Sequence, residues 1–303
     1  MSFHSGEITV QNRAGVREEA IRLEGLIGNL LKPVAETFLA AQHLAIAGTV
    51  DGEGRVWASL LTGEPGFMQA LSPQMIKIHL LPVRSDPLYQ NLLSQPQIGI
   101  LAIDLVNRRR LWCNGQAELD LKDTQADITI QLQEAFFNCP KYIQTRHLIT
   151  SPPALLWLPE QLIRPELNEG DRQWIGAADT FFIASYYPES GVDASHRGGW
   201  PGFVQVINGN QLVFPDYVGN NMFQTLGNLA VNPRAGLLFI DFEQGHTLQC
   251  TRTALVIWEP AQFAQIPGAQ RLIKFTIEQV LETRYATPLR WQFGEYSPAI
   301  PSK

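Results

Sequence analysis

Residues Ser195-His196-Arg197-Gly198-Gly199 bring a hydroxyl, an imidazole, a guanidinium and two positions without side chains into one short run. That set suits an anion. Ser195 and His196 offer hydrogen bonds, Arg197 offers a two-pronged fork, and Gly198 and Gly199 let backbone N–H groups approach a phosphate closely. The same five residues would also serve as a solvated turn between strands. A second polar stretch, Phe214-Pro215-Asp216-Tyr217-Val218-Gly219-Asn220-Asn221-Met222, runs into a helical pattern. Asn220 or Asn221 is placed to cap that helix, whose free N–H groups are themselves a phosphate seat. A capped helix without a ligand reads equally well.

Three further groups carry chemistry. Arg108-Arg109-Arg110 stands out in a weakly charged chain. On a strand, Arg108 and Arg110 share a face with Trp112, while Arg109 shares the other with Leu111 and Cys113. Such a run receives an anion, pairs with carboxylates, or lies in a solvated hairpin turn. Cys139 stands two residues from Lys141, which would favour a thiolate, although a small buried apolar role is the commoner one. Asp193 and His196 have acid–base spacing, but no nucleophile accompanies them, so no catalytic residue is assigned.

The elements that position these residues follow from composition and repetition. The 303 residues are 45% hydrophobic and 17% charged, enough for two cores and too little charge for a disordered chain. Twenty-three Lys and Arg against 29 Asp and Glu leave a net charge of −6, which argues against nucleic acid or a membrane surface as partner. Three widely spaced cysteines, Cys113, Cys139 and Cys250, point to a reducing, cytoplasmic setting and give no zinc pattern, so no metal site is expected. No run of residues is long and apolar enough to span a membrane, and Met1–Glu7 carries no secretory pattern. The Gly-rich dinucleotide fingerprint, the phosphate-loop Gly-Lys-Ser/Thr motif, the His-Glu-x-x-His zinc helix and the Gly-x-Ser-x-Gly elbow are all missing from the sequence.

Residues 41–117 align with 178–254 at an offset of 137, slipping to 136 and back. Ala41, Ile46 and Ala47 match Ala178, Ile183 and Ala184. Val56–Phe67 matches Val192–Phe203, and Asn91, Leu92, Pro96, Gly99 and Asp104 match Asn228, Leu229, Pro233, Gly236 and Asp241. The chain reads as a duplicated domain. Short apolar or alternating runs predict strands over Leu44–Val50, Met75–Leu81, Ile98–Leu105 and Leu111–Leu119. The second copy predicts them over Phe181–Tyr186, Phe203–Ile207, Gln211–Phe214, Ala235–Phe242 and Thr247–Trp258. Short helices are expected at Leu88–Ser94 and Met222–Ala230, and longer ones at Lys122–His147 and Gly268–Tyr285. Where the second copy has His196-Arg197, the first has Leu60-Leu61, so a surviving polar site is expected on the second copy.

As a set, these stretches resemble the pyridoxamine 5′-phosphate oxidase-related flavin-binding proteins, in a longer, duplicated form. The resemblance rests on Gly54-Arg55-Val56-Trp57-Ala58-Ser59, Asn138-Cys139-Pro140-Lys141-Tyr142-Ile143 and Ser195-His196-Arg197-Gly198-Gly199. It continues through Pro201-Gly202-Phe203, Pro215-Asp216-Tyr217, Gly219-Asn220 and Leu226-Gly227-Asn228. It implies a mainly β fold with accessory helices (α+β), namely two tandem FMN-binding split β-barrels that form an intrachain pseudo-dimer. The corresponding division is an N-terminal arm and helix (1–37), a first repeat (38–121), a helical linker (122–170), a second repeat (171–260) and a C-terminal helix and tail (261–303). The resemblance further implies non-covalent FMN held by Ser195, His196, Arg197, Gly198, Phe203, Pro215, Asp216, Asn220 and Asn221. Thr251-Arg252 departs from the pattern, because relatives usually carry glycine where Arg252 stands. The expected function is FMN-dependent electron or hydride transfer to a small-molecule substrate, with NAD(P)H or a reductase as donor. The alternative is a non-catalytic flavin- or haem-binding module. A monomeric pseudo-dimer or a homodimer fits either.

Overall fold

β-Branched and aromatic residues dominate the runs between Gly, Pro, Asp and Asn, and these runs form strands. The protein is described by a computed structural model covering residues 3–149 and 158–302. The first sheet comprises β1 (Leu44–Val50), β2 (Val56–Thr62), β3 (Met68–Ser72), β4 (Met75–Leu80), β5 (Gln97–Asp104), β6 (Arg109–Leu121) and β7 (Ala126–Asn138). Its strands are antiparallel in the order β2-β1-β5-β6-β7-β4-β3. Two short strands follow, β8 (Arg146–Ile149) and β9 (Glu160–Arg164). The second sheet comprises β10 (Thr180–Tyr187), β11 (Gly191–Gly198), β12 (Gln205–Asn208), β13 (Gln211–Tyr217), β14 (Arg234–Asp241), β15 (His246–Ile257) and β16 (Ala269–Arg284). Its order, β11-β10-β14-β15-β16-β13-β12, repeats that of the first strand for strand, with β9 added beside β16. Strand β17 (Arg290–Phe293) pairs with β8. In neither large sheet does the hydrogen-bonded path return on itself, so the expected mainly β fold with accessory helices is present as open sheets, and no closed barrel forms among the described residues.

Among the described residues six α-helices decorate the sheets: α1 (Ser5–Arg13), α2 (Arg17–Leu23), α3 (Pro33–Ala40), α4 (Pro87–Ser94), α5 (Glu169–Ala177) and α6 (Gln224–Val231). Two expected helices are strands instead. Lys122–His147 contains β7, and Gly268–Tyr285 is β16. The physical cause is shared. Each strand lies inside its sheet, and each carries a β-bulge, at the register shift beside Asn114/Gly115 for β7 and beside Thr251/Arg252 for β16. A bulge moves the buried positions by one residue, so two phases of a period-two pattern, read end to end, imitate helical spacing. The sheets therefore run past the expected ends at residues 121 and 260. Residues 150–157 of the expected linker lie outside the described residues.

The apolar residues sort into three layers. One fills the first sheet's inner face, with Phe38 and Leu39 of α3, Ile78, Ile100 and Ile128. A second fills the other sheet's inner face, with Phe181, Phe214, Leu237 and Phe275. The third joins the sheets: Ile46, Val56, Ala58, Leu101 and Trp112 meet Phe182, Ala184, Val192, Ala194 and Leu238. Two glycines set how closely the sheets approach. A β-carbon on Gly99 of β5 would collide with the Val192 carbonyl of β11, and one on Gly236 of β14 with the Val56 carbonyl of β2. The contact is reciprocal, each sheet pressing a glycine onto the other's edge hairpin.

Pairing also corrects the repeat alignment by one residue. Gly48 faces Gly99 while Ala184 faces Gly236. With Gly99 and Gly236 equivalent, Ala47 therefore corresponds to Ile183, not Ala184. Burial agrees, since Ala47 and Ile183 face their own cores while Ile46 and Phe182 face the seam. The equivalence of Leu60 with His196 stands, because Leu60 pairs with Ile46 and His196 with Phe182.

Candidate functional site

Strand β11 carries Ser195–Gly198 toward a cleft whose opposite wall is built by the other half of the chain. Ser195, His196, Arg197, Gly198, Phe203, Pro215, Asp216, Asn220 and Asn221, the nine residues singled out above, all line it. From the first half come Arg110 and Trp112 of β6, Asn138 at the end of β7, and Cys139 and Tyr142 just beyond. The enclosed space is about 90 Å³, the room of about three water molecules and of the order of a phosphoryl group.

The two halves are clipped together around this space. Asn220 Nδ2 donates to Asn138 Oδ1 at 2.7 Å, and the Tyr142 hydroxyl donates to the Val218 carbonyl at 2.8 Å. Asn220 does not cap the helix as expected. Its Oδ1 accepts from Met222 N at 3.0 Å, and α6 starts only at Gln224, after Asn221 and Phe223 adopt left-handed backbone (φ 61° and 65°). Two residues in that conformation cannot extend a right-handed helix toward its N-terminus, so the chain turns through the loop before the helix begins.

Arg110 is only 8% exposed, and its contacts are Cys139 Sγ at 3.6 Å and His196 Nδ1 at 3.3 Å. Arg197 Nη1 donates to its own neighbour's carbonyl, His196 O, at 3.1 Å. Among the described residues neither guanidinium makes an ion pair, although Arg271 behind the cleft pairs with Asp216 at 3.0 Å. Burial pulls the Arg110 guanidinium below its ordinary value. His196 is held well below the usual histidine range, first by burial and then by Arg110, Arg197 and Arg146. It is therefore a neutral imidazole. Because a guanidinium has only donors, His196 Nδ1 accepts and the ring proton resides on Nε2. Burial pushes the Asp216 carboxyl up, against the pull of Arg197 and Arg271.

Among the described residues, four buried nitrogens in the lining have no hydrogen-bond partner: Arg110 Nε, Trp112 Nε1, His196 Nε2 and Arg197 Nε. With the tautomer assigned above, all four are donors. An unmet buried donor costs about 1–3 kcal/mol, so the cleft is shaped for a group that only accepts. Tyr142 and Tyr217, with ring centroids 5.3 Å apart, add aromatic surface.

Other candidates resolve differently. Arg108 sits in the turn before β6 with φ 52° and holds Ile143 O and Glu295, whereas Arg109 lies over the rings of Phe38 and Phe137. Of that run only Arg110 reaches the cleft. Asp193 is engaged by Ser185 and Thr225 and points to the opposite face of β11 from His196, so the two are not an acid–base pair. Arg252 is half exposed and pairs with Glu278 at 3.3 Å, which keeps it out of the cleft. The nine-residue set omitted Arg110, Trp112, Asn138, Cys139 and Tyr142. Their sequence signals were the arginine run and the Asn-Cys-Pro-Lys-Tyr stretch, but nothing local says that these cross to the other sheet.

The second sheet is open and antiparallel, and the cleft lies on its strands β11 and β13. Residues 167–284, which span this second sheet, match the family model of pyridoxamine 5′-phosphate oxidase. Over that segment the chain is similar to the pyridoxamine 5′-phosphate oxidase-related proteins. Among curated proteins none matches it. Solved structures similar to it include HupZ of Group A Streptococcus, 15% identical over 35% of this chain and 94% of that one, with a TM-score of 0.30. HutZ, the haem storage protein of Vibrio cholerae, is 16% identical over 35% and 94%, with a TM-score of 0.28. An FMN-binding protein of Syntrophomonas wolfei is 12% identical over 37% and 82%, with a TM-score of 0.29. At these values the likenesses decide nothing about the ligand. Among the described residues no helix is long and apolar enough to cross a membrane.

Proposed function

We propose that the cleft holds the phosphate of FMN, and that the protein is an FMN-dependent oxidoreductase acting on a small-molecule substrate. The observation that carries this is the set of four unmatched buried donors beside two guanidiniums that make no ion pair among the described residues. A phosphomonoester supplies acceptors and negative charge at once. Arg197 and Arg110 would bind its oxygens, His196 Nε2 and Trp112 Nε1 would complete the donor set, and Asn220 would fix the loop that closes over it. Tyr142 and Tyr217 offer faces for a planar ring at the mouth of the cleft. When bound, the flavin supplies the redox chemistry. The side chains bind, orient and exclude water.

The two-sheet arrangement supports reading the chain as a tandem duplication that pairs with itself, its first unit ending after β7 and its second after β16. NAD(P)H or a reductase is the electron donor we propose, and a monomeric pseudo-dimer the assembly. The three unpaired cysteines favour the cytoplasm.

The test compares FMN with riboflavin, which differ only in the phosphate. FMN should bind at least roughly 100-fold more tightly, because charge-assisted hydrogen bonds contribute about 1.5–3 kcal/mol each. Arg197→Ala should erase most of that difference. Equal affinities for the two flavins would sink the reading. A visible spectrum of the purified protein separates flavin from haem, and reduction by NADH or NADPH separates an enzyme from a binder.

A further inference from the structure

The first sheet builds its own counterpart of the cleft, at the equivalent place between β2, β4 and the segment that follows β16. It encloses about 680 Å³, within the usual range of ligand pockets. Leu60 stands where His196 does and Leu61 where Arg197 does. Ladder pairing extends the correspondence across the seam. Ile103 pairs with Arg110 and Ile240 with Thr247, so Thr247 takes the place of Arg110. By the same count Gln249 takes the place of Trp112. Each cation or unmatched donor of the first cleft thus has an uncharged counterpart; Leu60 and Leu61 line the second pocket, whereas Thr247 and Gln249 do not reach it.

What remains in the lining is largely hydrocarbon, including Leu60, Leu61, Leu81, Val83, Tyr89 and Leu289. The ionisable side chains present are Glu64 and Asp86, together with His79, which Asp127 holds at 2.6 Å. Asp86 is engaged, accepting from Ser59 Oγ at 2.6 Å and from Leu88 N at 2.9 Å as the cap of α4. Among the described residues no Lys or Arg lines the space. An anion entering it would lose hydration, meet carboxylates and find no lysine or arginine to pair with. Protein interiors otherwise leave few voids above water size, and an apolar wall gains free energy when apolar surface covers it.

We infer that this second pocket is a binding site for an uncharged, predominantly apolar small molecule. The site does not depend on what occupies the cationic cleft.

N-phenyl-1-naphthylamine, an uncharged dye that brightens in apolar surroundings, tests this on the full-length protein. Saturable binding of one dye per chain is expected. Leu81 lines the pocket yet is 63% exposed, so Leu81→Arg leaves the fold intact while placing a charge at the mouth. It should weaken dye binding by about tenfold or more. Leu93→Arg, at a residue 61% exposed and outside the lining, should leave binding unchanged. Leu60→Trp, which fills the pocket, should lower binding as Leu81→Arg does. Absent or non-saturable binding, equal affinities for Leu81→Arg and Leu93→Arg, or displacement of the dye by inorganic phosphate would each overturn the inference.

Discussion

Arg110 Nη1 lies 3.3 Å from His196 Nδ1, across the seam between the two sheets. Two basic side chains meet there with no carboxylate between them. The contact forces the imidazole to accept on Nδ1 and leaves its Nε2–H without a partner. A buried arginine without a counter-ion is unfavourable by itself and becomes favourable when an anion arrives.

Arg110→Met removes that charge with little change in volume. If the cleft holds the FMN phosphate, two effects of opposite sign follow. FMN affinity should fall roughly 10–100-fold, while the ligand-free protein should hold its stability or gain, because a desolvated, unpaired cation has gone. Flavin titration and urea unfolding measure the two. Unchanged affinity with lost stability would make Arg110 a structural residue only.

His196 should stay neutral well into mild acid. Its lowered value means that the unfolded chain takes up the proton first, near 6.5, so its contribution to stability is present above that pH and fades as pH falls below it. Nitrogen-15 NMR of labelled imidazoles should show a neutral ring protonated on Nε2 at pH 6. An imidazolium signal at that pH would contradict the tautomer assignment and the donor count built on it.

Glu7 gives the reverse dependence. The N-terminal helix α1 carries it into a buried position near Glu134 and Asp193, and burial raises its carboxyl to about 8. The folded protein therefore keeps a proton that the unfolded chain releases near 4.5. This contribution is fully present below pH 4.5 and is lost as pH rises through about 8. Glu7→Gln should remove the loss, leaving the variant more stable than the parent at pH 8.5 by on the order of a few kcal/mol. Chemical unfolding at pH 5 and pH 8.5 provides the comparison, and equal pH slopes in the two proteins would refute it.

Two helical glycines should respond oppositely to alanine. A β-carbon on Gly227 of α6 would stand 2.7 Å from the backbone nitrogen of Glu7, where α1 crosses, whereas one on Gly176 of α5 would meet nothing within 4 Å. Gly227→Ala should cost about 1–3 kcal/mol by overpacking and loosen the N-terminal helix to proteolysis. Gly176→Ala should gain about 0.4–1 kcal/mol by restricting the unfolded chain. Thermal melts of both variants decide it, and a stabilised Gly227→Ala would mean that the helices do not cross so closely.

Much of the fold was legible from local pattern. Leu44–Val50 forms a strand over the residues its apolar run predicted, and Leu88–Ser94 became helix after one added proline. The failures at β7 and β16 have one cause, since each strand is apolar through a bulge and only its neighbours reveal the change of phase. The slip of one residue in the repeat is of the same kind. Ile46 and Ile183 look equivalent as letters but face different layers, and side-chain direction along a strand is fixed by its pairing.

The cleft divides in the same way. His196, Arg197 and the Pro215–Asn221 stretch announce themselves by residue type and by contrast with Leu60-Leu61, so one chain compared with itself was enough to find that wall. Arg110, Trp112 and Tyr142 could be named as unusual but not placed, because their separation from His196 along the chain says nothing of distance in space. The reciprocal packing of Gly99 and Gly236 brings the two sheets together, and that contact alone turns a buried arginine and a neutral histidine into one site.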